Sequence, residues 1–402
     1  MEPLSWFFCY DEGMIIHAIE HALRMAFSMG WEILWPLILG FGLSGAIQAV
    51  VSHRQMGRLL PDDRPKTLAI ASALGAASSS CSYAAVALAR SLIKKGADFT
   101  AAMAFEISST NLVIELGIIM VVLLGWQFAA AEFVGGPIMI LVLALLFRRY
   151  LTPKMVAAAT RQAEKGLAGK MEGHAEMGDM SVQGDKTILQ KIASSEGRTA
   201  TSYFYVLDWS SVWTDLVLGL LIAGAIAAWV PTSFFQKFFF TSHPLLSAIW
   251  GPLIGPLIAV ASFVCSVGNV PLAAVLWNGG ISFGGVVAFI FADLIVFPIL
   301  RIYKKYYGMK MAAFLFMTFY AAMTLAGYAV EIIFAILHLT PRIRNAKVLE
   351  PSITLNYTTI LNIIFLLIST ALVWRFLRTG GPKMLRMMSK GHSHRNDSIS
   401  TA

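Results

Sequence analysis

Ser78-Ser79-Ser80-Cys81-Ser82-Tyr83 is a polar knot inside an apolar run that extends from about Thr67 to Ile93. A run of that length can enter a bilayer. Four serines and a cysteine at its middle are poor helix continuers, because their side chains compete for backbone hydrogen bonds. The same interruption recurs at Val264-Cys265-Ser266-Val267-Gly268-Asn269. The two stretches align without a gap at an offset of 184 residues, and 10 of the 25 positions from Cys81 to Phe105 are identical. Working outward from this match, the chain reads as a duplication in which each copy breaks a membrane segment at Cys-Ser.

Composition sets the class. The chain has 402 residues, of which 57% are hydrophobic and only 13% charged, with a mean hydropathy of +0.68. Soluble domains carry about 25% charge, so the pattern is that of an all-α polytopic membrane protein. The net charge of +8 fits membrane orientation better than nucleic-acid binding, and no nucleic-acid partner is expected. Three cysteines are too few and too dispersed for a disulfide framework or a zinc site. The acidic and aromatic residues 1–13 do not read as a cleavable signal peptide.

In chain order, residues 1–30 form an N-terminal segment whose stretch 14–29 is amphipathic, either an interfacial helix or a lead-in to the first span. Residues 31–149 form the first membrane repeat, with spans at about 31–52, 97–124 and 127–149 around the broken segment 67–93. Residues 150–208 are a polar linker. Residues 209–310 are the second repeat, with its broken segment at about 244–277 and a span at 281–300. Residues 311–378 add two spans, and 379–402 read as a disordered tail.

Charge counting decides between topologies. If all nine apolar segments cross the membrane, Lys and Arg divide 16 to 15 between the two sides, against the positive-inside tendency. If both Cys-Ser segments are re-entrant hairpins, leaving about seven full spans, the division becomes 26 to 5. The 26 fall in residues 53–66, 90–95, 148–208, 301–310 and the segment from 375 onward. The linker and C-terminus are then expected to be cytoplasmic. Three crossings separate the copies, so the repeat is expected to be inverted. Irregular backbone at that depth must line a cavity or be buried in protein. The alternative is two kinked full-length helices in a parallel repeat.

The hairpin tips offer candidate substrate-binding groups: Ser79, Ser80, Cys81, Ser82 and Tyr83 in the first, Cys265, Ser266, Gly268 and Asn269 in the second. Hydroxyls and half-helix N-termini can hold a polar or anionic solute, and Gly268 permits close backbone approach. The two thiols can act as soft ligands or as small packing residues. The next span adds Ser109, Thr110 and Asn111. Carboxyls inside a membrane are costly, about 2.5–3.5 kcal/mol each on insertion scales, and usually serve function or pair internally. Glu106, Glu115 and Asp293 are therefore candidates for coupling to an ion. Glu115 stands four residues after Asn111, on the same face of a continuous helix; Glu331 and Asp215 are weaker candidates. The alternative is a set of helix-packing residues held by hydrogen bonds.

These residues resemble a bacterial family of predicted permeases that includes the organoarsenical efflux permeases. The resembling stretches are Ser78–Ser82 with Lys95-Gly96-Ala97, Ser109–Leu116, Cys265–Pro271, Phe289–Asp293 and Tyr306-Tyr307-Gly308. The resemblance implies a multi-pass permease of the bacterial inner (plasma) membrane. Arsenical exporters of that family are typified by several cysteines near the first motif; this chain has one there. Together the readings suggest a secondary transporter, an efflux permease for a small polar or thiophilic solute such as a metalloid species. A channel for a small ion or neutral solute, or a thiol-based membrane redox protein, are the alternatives. No enzyme activity, cofactor or metal is expected. No phosphate-binding loop of the Gly-x-x-x-x-Gly-Lys-Ser/Thr type is present, which argues against ATP coupling in this chain. The partners expected are a small-molecule or ion substrate and the lipid bilayer, with a homo-oligomer possible.

Overall fold

A computed structural model describes residues 12–49, 59–80, 82–164, 188–262, 266–341, 343, 344, 346 and 357–382. Those residues form helices and no strand. The first half holds α1 (Glu12–Gln48), α2 (Pro65–Ser78), α3 (Ser82–Lys94), α4 (Phe99–Asn111), α5 (Ile114–Leu123) and α6 (Trp126–Tyr150). Two short helices follow, α7 (Pro153–Glu164) and α8 (Ile188–Ala193). The second half holds α9 (Ser195–Trp229), α10 (Thr232–Phe238), α11 (Pro244–Ser262), α12 (Ser266–Gly279), α13 (Phe283–Phe291), a 3-10 turn Ala292–Leu294, α14 (Phe297–Tyr307), α15 (Met309–Ile336) and α16 (Tyr357–Arg378). Among the described residues five helices are long and apolar enough to cross a membrane, with α4 and α5 counted together as Phe99–Leu123, and up to seven if each bent pair is one span. The protein is an all-α polytopic membrane protein.

The first Cys-Ser segment is broken where the sequence places it. Helix α2 ends at Ser78, and Ser79 takes the left-handed conformation (φ 39°, ψ 77°) while its N–H bonds the Gly75 carbonyl at 3.1 Å. Helix α3 restarts at Ser82. In the second copy α11 is described as far as Ser262 and α12 from Ser266, with residues 263–265 outside the described residues. The offset of 184 pairs the turn glycines Gly96 (φ 91°) and Gly280 (φ 112°). It pairs the helix caps as well. The Asp98 carboxylate accepts from Ala101 N–H at 3.1 Å and the Ser282 hydroxyl accepts from Gly285 N–H at 3.2 Å, each satisfying an otherwise orphaned donor.

Both broken segments return to the end they started from. The Asp98 N–H, just past α3, bonds the Leu60 carbonyl, just before α2, at 2.8 Å. In the second copy a Cβ on Gly280 would lie 2.4 Å from Thr241 Cγ2, so the residues flanking α11 and α12 also meet. Equivalent helices of the two copies run antiparallel. Trp229 Nε1 donates to the Ala18 carbonyl at 3.0 Å near one end of the α1–α9 pair. At the other end Gly45 packs on the Thr201 carbonyl. In the α6–α15 pair, Phe147 meets Phe314 at 5.3 Å between ring centroids, and Gly135 faces Val330.

The basic segments gather. Arg148 bonds Asp63 at 2.7 Å, Arg90 bonds the Ala163 carbonyl at 2.7 Å, and Gln162 reaches the Lys305 carbonyl at 3.4 Å. Arg375 bonds the Ser195 carbonyl at 2.8 Å. Each contact joins two segments that the charge count places on the 26-charge side.

Three expectations are corrected in detail. The span expected at 97–124 is present as Phe99–Leu123 but carries an interruption at Leu112–Val113, and that at 281–300 is interrupted at Ile295–Val296 and extends to Tyr307. In the first, the hydroxyls of Ser108, Ser109 and Thr110 turn back onto the carbonyls of Ala104, Glu106 and Ile107 at 2.6, 2.9 and 3.1 Å, which competes with the helix ladder. In the second, Pro298 stands in the first turn of α14, where proline is accepted only because no backbone donor is needed; α14 is bent by 41° from the preceding helix. The third correction is the linker. Helix α9 begins at Ser195, inside the expected linker, because the Ser194 hydroxyl caps Gly197 N–H at 2.9 Å. Its polar start is held by α16, where Tyr205 donates to Ser369 Oγ at 2.6 Å. Residues 165–187 of the linker, 1–11 of the N-terminal segment and 383–402 of the tail lie outside the described residues. Helix α1 continues from the amphipathic stretch into the first span, with a bend of 42° between Ala18–Trp31 and Ile33–Ala46.

Candidate functional site

Two polar groups form in the interior, and the first hairpin tip joins them. The first centres on Asp293, which the break after α13 leaves in a 3-10 turn, fully buried. Ser82, at the start of α3, donates to Asp293 Oδ2 at 2.8 Å. Asn111, at the end of α4, reaches Asp293 Oδ1 at 3.4 Å and Thr110 Oγ1 at 3.2 Å through Nδ2. One carboxyl of the second copy is thus held by residues of the first, across 211 and 182 positions of chain. Glu106, one turn earlier on α4, accepts from the Tyr303 hydroxyl of α14.

The second group lies on the other side of the tip. Ser79 Oγ donates to Glu115 Oε1, and the Ser79 carbonyl accepts from Ser44 Oγ at 3.0 Å. Ser44 also lies 3.2 Å from Asp208 Oδ2, and Gln48 Nε2 bonds both Ser44 Oγ at 2.8 Å and Asp208 Oδ2 at 3.2 Å. The tip is fixed between the groups because Ser80 N–H donates to the Ser109 carbonyl at 2.8 Å. Ser78 and Ser80 hydroxyls pair at 2.9 Å, and Tyr83 is half-buried against the core.

Glu115 is therefore not on a face with Asn111. Leu112 and Val113 leave the helix between them, so the two side chains serve different groups. At the second tip, Asn269 accepts from Ser262 Oγ at 3.3 Å within its own hairpin. Ser266 and Gly268 are buried, and no hydrogen bond joins them to Asp293 among the described residues. Cys81 and Cys265 lie outside the described residues. Glu331 caps the start of α13 by accepting from Gly284 N–H, away from both groups; the side chain of Asp215 lies outside the description.

Sequence reading missed five participants: Ser44, Gln48, Glu132, Asp208 and Tyr303. Glu132 was the findable one, since it stands inside an apolar span where a carboxyl marks function by default. Both its oxygens are buried without a hydrogen-bond partner among the described residues, and it lies within electrostatic reach of Asp293, as does Glu106. The free oxygen of Glu106 and the amide nitrogen of Asn269 are also buried and unpartnered. Glu106, Glu115, Glu132 and Asp293 are all buried, and none of them meets a described cation. Carboxyls placed this way can take up and release a proton or bind a passing cation. Serine, threonine and asparagine beside them can order a polar solute. No three His, Cys, Asp or Glu side chains group as a metal site among the described residues.

The family model described as "Predicted permease" matches residues 18–332. A protein of Mycobacterium tuberculosis (strain H37Rv) named "Putative permease Rv2963" is 62% identical over 374 residues, covering 93% of this chain and 92% of that one. No solved structure matches the chain.

Proposed function

The chain belongs to the predicted-permease family, and from that premise we propose that it is a secondary transporter built on an inverted repeat. It is a multi-pass membrane permease, with a small-molecule substrate and a lipid surround. The finer reading is that a small polar or thiophilic solute passes between the two hairpin tips by alternating access, outward from the cell. The segments bearing most of the Lys and Arg face the cytoplasm under the positive-inside rule.

One observation carries this reading. Two broken hairpins at the same offset return to their own ends, while the helices flanking them run antiparallel between copies. Discontinuous helices meeting at the interface of inverted repeats are a transporter design. In such a design the hydrogen bond from Ser82 to Asp293 joins one hairpin to the other copy. Protonation of Asp293, or substrate arrival, acts on that link. The thiols next to Ser82 and Ser266 would hold a soft solute.

A growth and uptake screen tests the reading. Cells expressing the protein are challenged with metalloids, thiols and small anions, beside Cys81→Ala and Cys265→Ala controls. A protected or exported solute whose flux saturates and counterflows supports a carrier. Flux at diffusion-limited conductance would instead indicate a channel. Glu132→Gln supplies a second test. The amide keeps the shape and removes a buried carboxyl that has no partner, so the variant is expected to unfold no earlier than the parent. Its uptake is expected to lose pH dependence. An unchanged pH profile would remove Glu132 from coupling, with Glu106, Asp293 and the hydroxyl of Tyr303 left as the groups facing that region.

A further inference from the structure

The outer helix α16 leaves most of its surface to the bilayer; only 11% of its most apolar stretch is buried. Where its last turns pass the start of α9 they enclose a groove of about 650 Å³, within the range of about 300–1,000 Å³ that small-molecule sites occupy. Three arginines line it, Arg198, Arg375 and Arg378, and no carboxylate does. Arg375 is held in place by the Ser195 carbonyl and hydroxyl at 2.8 and 3.1 Å and by Thr199 Oγ1 at 3.0 Å. Arg378 lies flat on the Trp374 ring, 3.8 Å from its centroid. Arg198 is exposed, and its guanidinium makes no ion pair or hydrogen bond among the described residues. Away from the arginines the lining turns apolar along α16, through Leu372 to Ile368.

We propose that this groove binds one anionic phospholipid, its phosphate between Arg198 and Arg378 and an acyl chain along Leu372 and Ile368. The charge and the apolar strip are complementary to the two ends of such a lipid. Arginine forks suit phosphate oxygens, and basic pockets between spans at one membrane face take anionic head groups. Trp374, at 55% exposure, marks the interfacial level where a head group lies. The proposal is independent of the transported solute.

The test uses purified full-length protein in detergent, with thermal unfolding and native mass spectrometry as readouts. Phosphatidylglycerol or cardiolipin is expected to raise the unfolding temperature by about 3 °C or more relative to phosphatidylcholine, and to appear as one retained lipid. Arg198→Gln, which breaks no internal bond, is expected to fold normally and lose most of that rise; Arg198→Gln with Arg378→Gln is expected to lose all of it. An equal rise from phosphatidylcholine would overturn the proposal. So would an equal rise from inorganic phosphate at matched concentration, which would mark a free-anion site. Full retention of the phosphatidylglycerol effect in the Arg198→Gln protein would also overturn it.

Discussion

An Asp293→Asn variant is expected to fold and to transport at roughly one-tenth to one-hundredth of the parental rate. The amide oxygen still accepts from Ser82, so the turn after α13 keeps its anchor. What disappears is the charge-capable group that Ser82 and Asn111 bind from the other copy. Hydrogen bonds to a charged partner contribute about 1.5–3 kcal/mol, which as a barrier change is about ten- to a hundredfold. Asp293→Leu removes the acceptor as well and is expected to lower the unfolding temperature too. Reconstituted vesicles under an imposed pH gradient, loaded with the solute found by screening, supply the readout. If the asparagine variant moves solute at the parental rate and with the parental pH profile, Asp293 is a packing residue and coupling lies elsewhere.

The asymmetry of the acidic residues explains why much of this site was hard to read. The break at the first tip and the turns were legible because their signals are local. Ser79 and Ser80 leave the helix, and Gly96 and Gly280 take positive φ at turns. The carboxyls do not follow the repeat. Under the offset of 184, Glu106, Glu115 and Glu132 correspond to Ile290, Ile299 and Phe316, and Asp293 to Ser109. The sequence match between the two stretches does not extend to the carboxyls. Partners such as Ser82 and Asp293 are 211 positions apart, and only tertiary packing pairs them. The expectation for Glu115 failed for a local reason of the same kind as the one that succeeded for the tips. The run Ser108-Ser109-Thr110-Asn111 ends a helix just as Ser78-Ser79-Ser80 does, which separates Asn111 from Glu115. Asp208 was assigned to a linker because hydropathy alone cannot see that Ser194 starts a helix.

Gly75→Val is expected to disable the protein more thoroughly than the change at Asp293. Helix α2 crosses α4 so closely here that a Cβ on Gly75 would lie 2.4 Å from the Phe105 carbonyl oxygen, 2.9 Å from Ser108 Cβ and 3.1 Å from Ser109 N. Two of these neighbours are backbone, so no rotamer change can relieve the overlap; the helices themselves must separate. Overpacking of this kind costs about 1–3 kcal/mol, and a branched side chain belongs at or above the upper end. Separation also acts on the site. Ser80 N–H bonds the Ser109 carbonyl one turn further along the same crossing, so moving α2 off α4 pulls the tip from between the two polar groups. The second half makes its own close crossing with a different glycine, where a Cβ on Gly255 would lie 2.5 Å from the Gly285 carbonyl oxygen, and has Ala259 at the position of Gly75. Shape at the crossing, rather than glycine at one aligned position, is what the fold preserves. Gly75→Ala is therefore the informative partner: it is expected to fold with an unfolding temperature several degrees lower and with transport reduced, while Gly75→Val is recovered in low yield. Parental yield, unfolding temperature and uptake in the valine variant would mean that α2 and α4 do not approach this closely in the membrane.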